Sequence, residues 1–315
     1  MSYLYSSGVV SVKEAGLLPK DFYANVLSCG ASCDAESLIR NALHIREDLS
    51  IDEGLEDEEY KLFEFVAGNS PNDLVKNFFI FPLVFDNLAT ICKAQLVGID
   101  WENYVQNYDF LDNKKVASFV AKRDFSIFEK NVAKVVKEFF ENYSPQSKAE
   151  DLDLFFKQNK YKIMREMFKK GLLLALVKLE CDKQNLSICL RAKNEIEFEK
   201  NLVVCGFLDK KTLQRIFEKD KFCVGQIENV LLKNMAELVF ENKEKALVKF
   251  EKEKNMLLLK FCEPLRFDMD GPAQFMYYVF RKLAEIKNCR MCLLFVRNNF
   301  ADRAKQMLLG DWNGR

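Results

Sequence analysis

Apolar residues recur at three- and four-residue intervals along most of this 315-residue chain, with mixed charge between them. That is the period of amphipathic helices. The clearest run is 274–298, which contains no Gly or Pro. Within it Phe275, Tyr278, Val279, Leu283, Ile286, Arg290 and Leu293 fall on or near one helical face. The segments 117–143, 154–169 and 226–245 carry the same spacing and are predicted helices. Residues 247–262 alternate weakly, a pattern compatible with a short strand, although helix is the stronger expectation. The acidic stretch 46–60 reads as an exposed loop or the solvated start of a helix. Pro82 sits inside an apolar helical run and predicts a kink or interruption, because proline removes a backbone donor and clashes with the preceding turn.

The helical pattern repeats. An Asn heads an apolar run at Asn87-Leu88, Asn185-Leu186 and Asn288-Cys289, with spacings of 98 and 103 residues. Each unit also opens on a short Leu-containing element, aligned on Leu18, Leu111 and Leu208. Later apolar positions then coincide: Tyr23, Val116 and Leu213, followed by Val26, Phe119 and Ile216. Pro19, Asp112 or Asp209 follows the aligned Leu, and each suits a helix start. Ser70-Pro71, Ser144-Pro145 and Gly271-Pro272 fit a cap followed by Pro at the first helical position, and predict the starts of further helices. The distance from Pro to Asn is 16 residues in the first and third copies and 40 in the second, so the middle unit should hold a longer or additional helix, seen in 151–170. The expectation is three helical units at 1–100, 101–205 and 206–315, a pseudo-threefold body.

Composition narrows the class. With 12 Gly and 6 Pro, the chain has too few turn residues for an all-β design of many short strands. Forty-seven basic residues balance 47 acidic ones, so no global field draws in nucleic acid or an anionic membrane surface. The apolar runs 78–85 and 172–177 fall short of the ~20 residues needed to span a bilayer, so no transmembrane segment is expected. The start, Met1 to Ser7, lacks the basic and apolar regions of a secretory signal. The ten cysteines are accordingly expected as buried free thiols in a reducing compartment.

Candidate chemistry is sparse. His44 is the single histidine and has no evident catalytic partner, which favours a structural role. Cys289 and Cys292 have metal-like spacing but lie in a continuous helical pattern without a second pair. Neither of the two best-known glycine-rich nucleotide loops is present, and no carboxylate pair stands out as acid and base. No catalytic residue, cofactor or metal is therefore expected. An Asn within a packed helix most simply hydrogen-bonds a neighbouring backbone group. Lys93 and Arg191 occupy matching places in their copies, where the third has Leu294, so a basic residue is a weak candidate for a shared surface.

These motifs resemble the C subunit of V-type ATP synthases, relatives of the vacuolar ATPase d subunit. The signature helix of that family has an acid three residues before Asn-Leu/Ile, then an apolar run and Lys/Arg-Ala-Lys. Asp182, Asn185, Leu186 and Arg191-Ala192-Lys193 match it. Glu285, Asn288 and Arg290 match the form near the C-terminus, and Asn87-Leu88 with Thr90, Lys93-Ala94 and Leu96 matches the first copy. Tyr3-Leu4-Tyr5 and Leu17-Leu18 with Phe22 resemble the family's start. The first copy departs from the pattern, with Pro82-Leu83-Val84 where the family often has Arg-Tyr-Asp. The resemblance implies an all-α fold of three homologous units in a funnel. It implies a non-catalytic, cytoplasmic coupler, peripheral to the membrane, that seats the rotor stalk on the membrane rotor ring and transmits torque for ion transport. The competing class is a free-standing helical scaffold or adaptor; a thiol or metal enzyme is a minor third.

Overall fold

The computed structural model describes residues 2–203, 205–241, 243–300 and 307–309; the side chains at 20 and 243–245 lie outside the description. All regular structure among the described residues is helical, as expected. The chain forms two compact units. One is built from residues 1–72 and 219–315, the other from 73–218.

The first unit holds α1 (Tyr3–Glu14), α2 (Lys20–Leu27), α3 (Ser32–Leu43) and α4 (Ile51–Asn69). The second holds α5 (Asp73–Val97), α6 (Asn113–Ala121), α7 (Lys130–Asn142), α8 (Ala149–Met167), α9 (Gly171–Arg191), α10 (Glu195–Asn201) and α11 (Lys210–Phe217). The chain then returns to the first unit with α12 (Val230–Leu238), α13 (Lys243–Cys262) and α14 (Ala273–Arg297).

Local chemistry explains many boundaries. The acidic stretch becomes the start of α4, where Ser50 and Glu53 form a reciprocal capping box and two acids favour the N-terminal dipole. Pro19, Asp112 and Asp209 stand at the N-caps of α2, α6 and α11, and both Asp side chains accept a helix N–H. His44 closes α3 in the left-handed conformation and is exposed, a structural role. Residues 247–262 lie within helix α13, and no strand forms there.

Several expectations need correction. The run 117–143 is two helices, α6 and α7, because the chain turns at Arg123 with φ of 57°. Residues 226–245 likewise divide between α12 and α13, with residue 242 outside the described residues. Pro82 does not interrupt α5, which runs helical on both sides of it. Proline marks the helix starts only loosely. Pro272 is the N-cap of α14, α5 begins two residues after Pro71, and Pro145 lies in the loop before α8 rather than at an Asn helix. The second Asn helix starts at Gly171 instead, whose φ of 71° a side chain would strain. From helix start to Asn the three copies then measure 14, 14 and 15 residues (73 to 87, 171 to 185, 273 to 288).

Helix α5 bears on the membrane reading. It is long and apolar enough to cross a bilayer, with a mean hydropathy of 1.4, although half of that window is buried within the protein. Phe85, Leu88, Ile91 and Cys92 of α5 build a core with α6, α7 and α8. Phe139 anchors that core among Tyr143, Phe155 and Phe156, its ring centroid 4.7 Å from that of Phe156. The first unit has a core of the same plan. There α14 supplies Ile286, Cys289, Cys292 and Leu293 against α2, α3 and α4. In each core an Asn helix packs on a short opener helix and on the two helices that follow it.

Candidate functional site

The three Asn residues are buried, and each does the same thing. Asn185 on α9 donates from Nδ2 to the Val203 carbonyl at 2.8 Å and accepts the Val203 N–H at Oδ1, also at 2.8 Å. Asn288 on α14 holds Leu309 in the same way, at 2.9 Å and 2.8 Å. Asn87 on α5 holds Gln106, at 2.6 Å and 3.0 Å. One primary amide thus closes a two-bond ring with one backbone residue, 18 to 21 positions onward in sequence. The acceptor is backbone, as the structural expectation had it, but it belongs to a distant segment rather than to the Asn's own helix. An amide suits this task because it offers both a donor and an acceptor with no charge to bury.

The acid three residues before the Asn makes a second hold on the same side of the helix. Asp182 is fully buried and accepts the N–H of Phe207 at 2.6 Å and of Leu208 at 3.2 Å, the aligned opener Leu. Glu285, 1% exposed, accepts the N–H of Leu18 at 2.6 Å, again the opener Leu. The spacing explains the pairing, since i and i+3 lie on one face of a helix. The first copy has Val84 in that place. Its opener N–H, that of Leu111, bonds the Tyr108 carbonyl at 2.9 Å, so no acid is needed. A second buried amide contributes there: Asn113 donates to the Gln106 carbonyl at 2.9 Å and accepts from Asn87 at 3.1 Å. Beside Val84 lies an apolar cavity of about 270 Å³, lined by Phe81, Leu111, Val116, Phe128 and Met167 among others.

The two acids differ electrostatically. Burial dominates at Asp182 and pushes its pKa up to about 7, against the backbone donors of Phe207 and Leu208 and the charge of Lys178, which favour the ionised form. Glu285 is instead paired with Lys282 at 2.6 Å, and Lys282 also meets Glu58 at 3.3 Å. Burial works against the charge on Lys282, but the two glutamates outweigh it and hold its pKa above the ordinary lysine value.

Close packing around Asp182 dictates one glycine. A Cβ at Gly206 would fall inside the contact radius of Asp182 Oδ1. That glycine, Asn113 and Lys282 were not evident from the sequence. Gly206 follows directly from the requirement that backbone N–H groups approach a buried carboxylate, which no local pattern reveals.

The basic residues singled out from sequence do not gather. Arg290 binds Glu59 at 2.8 Å and the Leu55 carbonyl at 3.3 Å, fastening α14 to α4. Arg191 ends α9 and is exposed. Lys93 pairs with Asp153 at 2.6 Å, and Leu294 is 59% exposed. Cys289 and Cys292 are buried in the α14 core, and burial pushes both thiols up, Cys292 to about 12, which disfavours the thiolate a metal requires. Among the described residues no three His, Cys, Asp or Glu side chains gather as a metal site. The arrangement holds backbone in place; it presents no nucleophile with a base and no acid–base pair aimed at a common point.

A family model described as ATP synthase (C/AC39) subunit matches residues 6–307, nearly the whole chain. No curated protein matches the chain.

Proposed function

From membership of the ATP synthase (C/AC39) subunit family, to which this chain belongs, we propose that the protein is the non-catalytic coupler of a V-type rotary ATPase. It seats the rotor stalk on the membrane rotor ring and transmits torque for ion transport. It sits on the cytoplasmic side, peripheral to the membrane, without inserting a helix of its own.

One observation carries this reading: the seat formed by a buried Asn recurs three times along the chain. In the units 1–100, 101–205 and 206–315, Asn87 of the first holds Gln106 of the second, and Asn185 with Asp182 of the second holds Val203 and Leu208 at the entry to the third. Glu285 of the third then holds Leu18 of the first. In α9 and α14 the acid thus fastens an opener Leu, whereas α5 fastens Gln106, ahead of its opener. Three homologous units arranged as a funnel would offer an axial socket for a stalk. The load then passes through buried hydrogen bonds and close-packed helices rather than through flexible loops. Interfaces that withstand torque should be large and well packed.

The test is purification of the tagged chain from its native membranes, followed by assay of vesicles lacking it. Stalk and ring subunits should co-purify, and vesicles without the chain should lose ATP-driven ion pumping. A chain that purifies without either set of subunits, and whose removal leaves pumping intact, defeats the coupler reading and leaves the free-standing scaffold.

A further inference from the structure

Within the second compact unit, the cavity of about 270 Å³ beside Val84 lies between α5, the start of α6, the turn before α7 and the end of α8. Its walls are hydrocarbon: Ile80, Phe81, Val84, Val116 and Phe128, with Met167 opposite. Asn113 is the buried polar residue among those that line it, and its amide is already engaged. It donates to the Gln106 carbonyl at 2.9 Å and to Asn107 Oδ1 at 3.2 Å, and accepts from Asn87 at 3.1 Å. A buried water needs two to four polar partners, so such an interior favours an apolar guest. A cavity of about 150 Å³ with walls of this kind is large enough to take up benzene.

The matching place in the third copy has the opposite chemistry. Counted back from the Asn by 10, 6 and 3 residues, α5 has Asn77, Phe81 and Val84 where α14 has Tyr278, Lys282 and Glu285. Tyr278 and Lys282 line a cavity of about 300 Å³ together with Lys13, Glu58 and Lys61. Lys282 is tied there to Glu285 at 2.6 Å and to Glu58 at 3.3 Å. Ion pairs satisfy that cavity from within, whereas the α5 cavity has apolar walls and an acidic rim. Ile127, 40% exposed, marks the side that faces solvent. Asp112 and Glu129 line the cavity and are exposed, and among the described residues no Lys or Arg lines it. Asp112 gives one oxygen to the Lys115 N–H at 2.9 Å, while Glu129, the N-cap of α7, makes no side-chain cap bond. The N-termini of α6 and α7 offset part of this negative charge, so the rim discriminates modestly.

We propose that this cavity binds a small molecule with an apolar body and one cationic end, an arylalkyl or alkyl amine. The body fills the space against Phe81, Val84 and Val116, and the ammonium group meets Glu129 and Asp112 at the rim. The volume suits a ring with a short alkyl chain. The site goes beyond the coupler reading and does not depend on it.

The experiment titrates the full-length protein at pH 7 with three probes that share one body: 4-phenylbutylamine, 4-phenylbutanol and 4-phenylbutyrate. Isothermal titration calorimetry reads each Kd. We expect the amine to bind with a Kd on the order of 0.1–1 mM, the range open to a ligand of this size. The alcohol should bind about threefold to tenfold more weakly, the worth of an exposed charge pair, and the carboxylate more weakly still. Val84→Phe, which fills the cavity, should weaken the amine by at least about tenfold. In the double variant Asp112→Asn, Glu129→Gln the amine should lose its advantage while the alcohol keeps its Kd; Asn preserves the cap of α6. The probe series and the rim variant leave the core untouched, so a Val84→Phe protein that fails to fold leaves the test intact. Binding by none of the three probes, equal binding by amine and alcohol or carboxylate, an amine preference that survives the rim variant, or a folded Val84→Phe protein with unchanged affinity overturns the proposal.

Discussion

The α9 seat and the α5 seat perform one task with different parts. Both use a buried Asn to hold a backbone residue by its N–H and its C=O. The α9 seat adds a buried acid, Asp182, and a glycine that makes room for it. The α5 seat has Val84 in place of the acid, satisfies its opener N–H from the Tyr108 carbonyl, and adds Asn113 as a second amide. The Asn is therefore the common element and the acid an option. Backbone groups must be satisfied once buried, but which partner satisfies them depends on the route the chain takes.

Removing each Asn tests that difference most strongly. Asn185→Leu leaves both polar groups of buried Val203 without their partner, and should destabilise by about 2–6 kcal/mol, at about 1–3 kcal/mol per orphaned group. Asn87→Leu should cost less, about 1–3 kcal/mol, because Asn113 still reaches the Gln106 carbonyl. Chemical denaturation of both variants measures the pair; equal losses would show that Asn113 gives no support.

The acid gives the α9 seat a pH dependence that the α5 seat lacks. Burial raises the folded pKa of Asp182 to about 7 from 3.8, so between those values the folded state binds more protons than the unfolded one. The contribution of Asp182 to stability is then greatest below about pH 4 and falls as pH rises toward 7, by up to about 1.4 kcal/mol per pH unit. Asp182→Asn should flatten that part of the stability–pH curve. A variant whose slope between pH 5 and 7 equals that of the wild type would mean that Asp182 is ionised throughout.

A finer test uses the space between acid and glycine. Gly206→Ala forces a methyl group against Asp182 and should cost about 1–3 kcal/mol. In an Asp182→Ala background the same change should be nearly neutral, and additivity in that double-mutant cycle would remove the steric account of Gly206.

The elements were legible where one chemical signal sufficed. Asp112 and Asp209 announced helix starts because a cap acts on the next three residues, and Pro19 did so through its fixed backbone. The breaks at Arg123 and before α13 were not legible, since helical spacing continues through both. Proline also misled: a ring that suits a first turn equally suits a loop, and Pro145 occupies one. In the site, the repeat of Asn87, Asn185 and Asn288 was visible, as was the acid at 182 and 285. Their partners were not, because Gln106, Val203 and Leu309 contribute only backbone, which is the same in every residue.

By itself, then, the sequence determined an all-helical chain with a triplicated Asn helix and the family to which it belongs, since period, caps and motif order are local properties. Only the tertiary structure decided what the Asn is for. A buried amide takes its meaning from the backbone that folding brings to it, 18 to 21 residues away. The same holds for Asp182 and Gly206, whose contact exists only after α9 and the segment before α11 have packed.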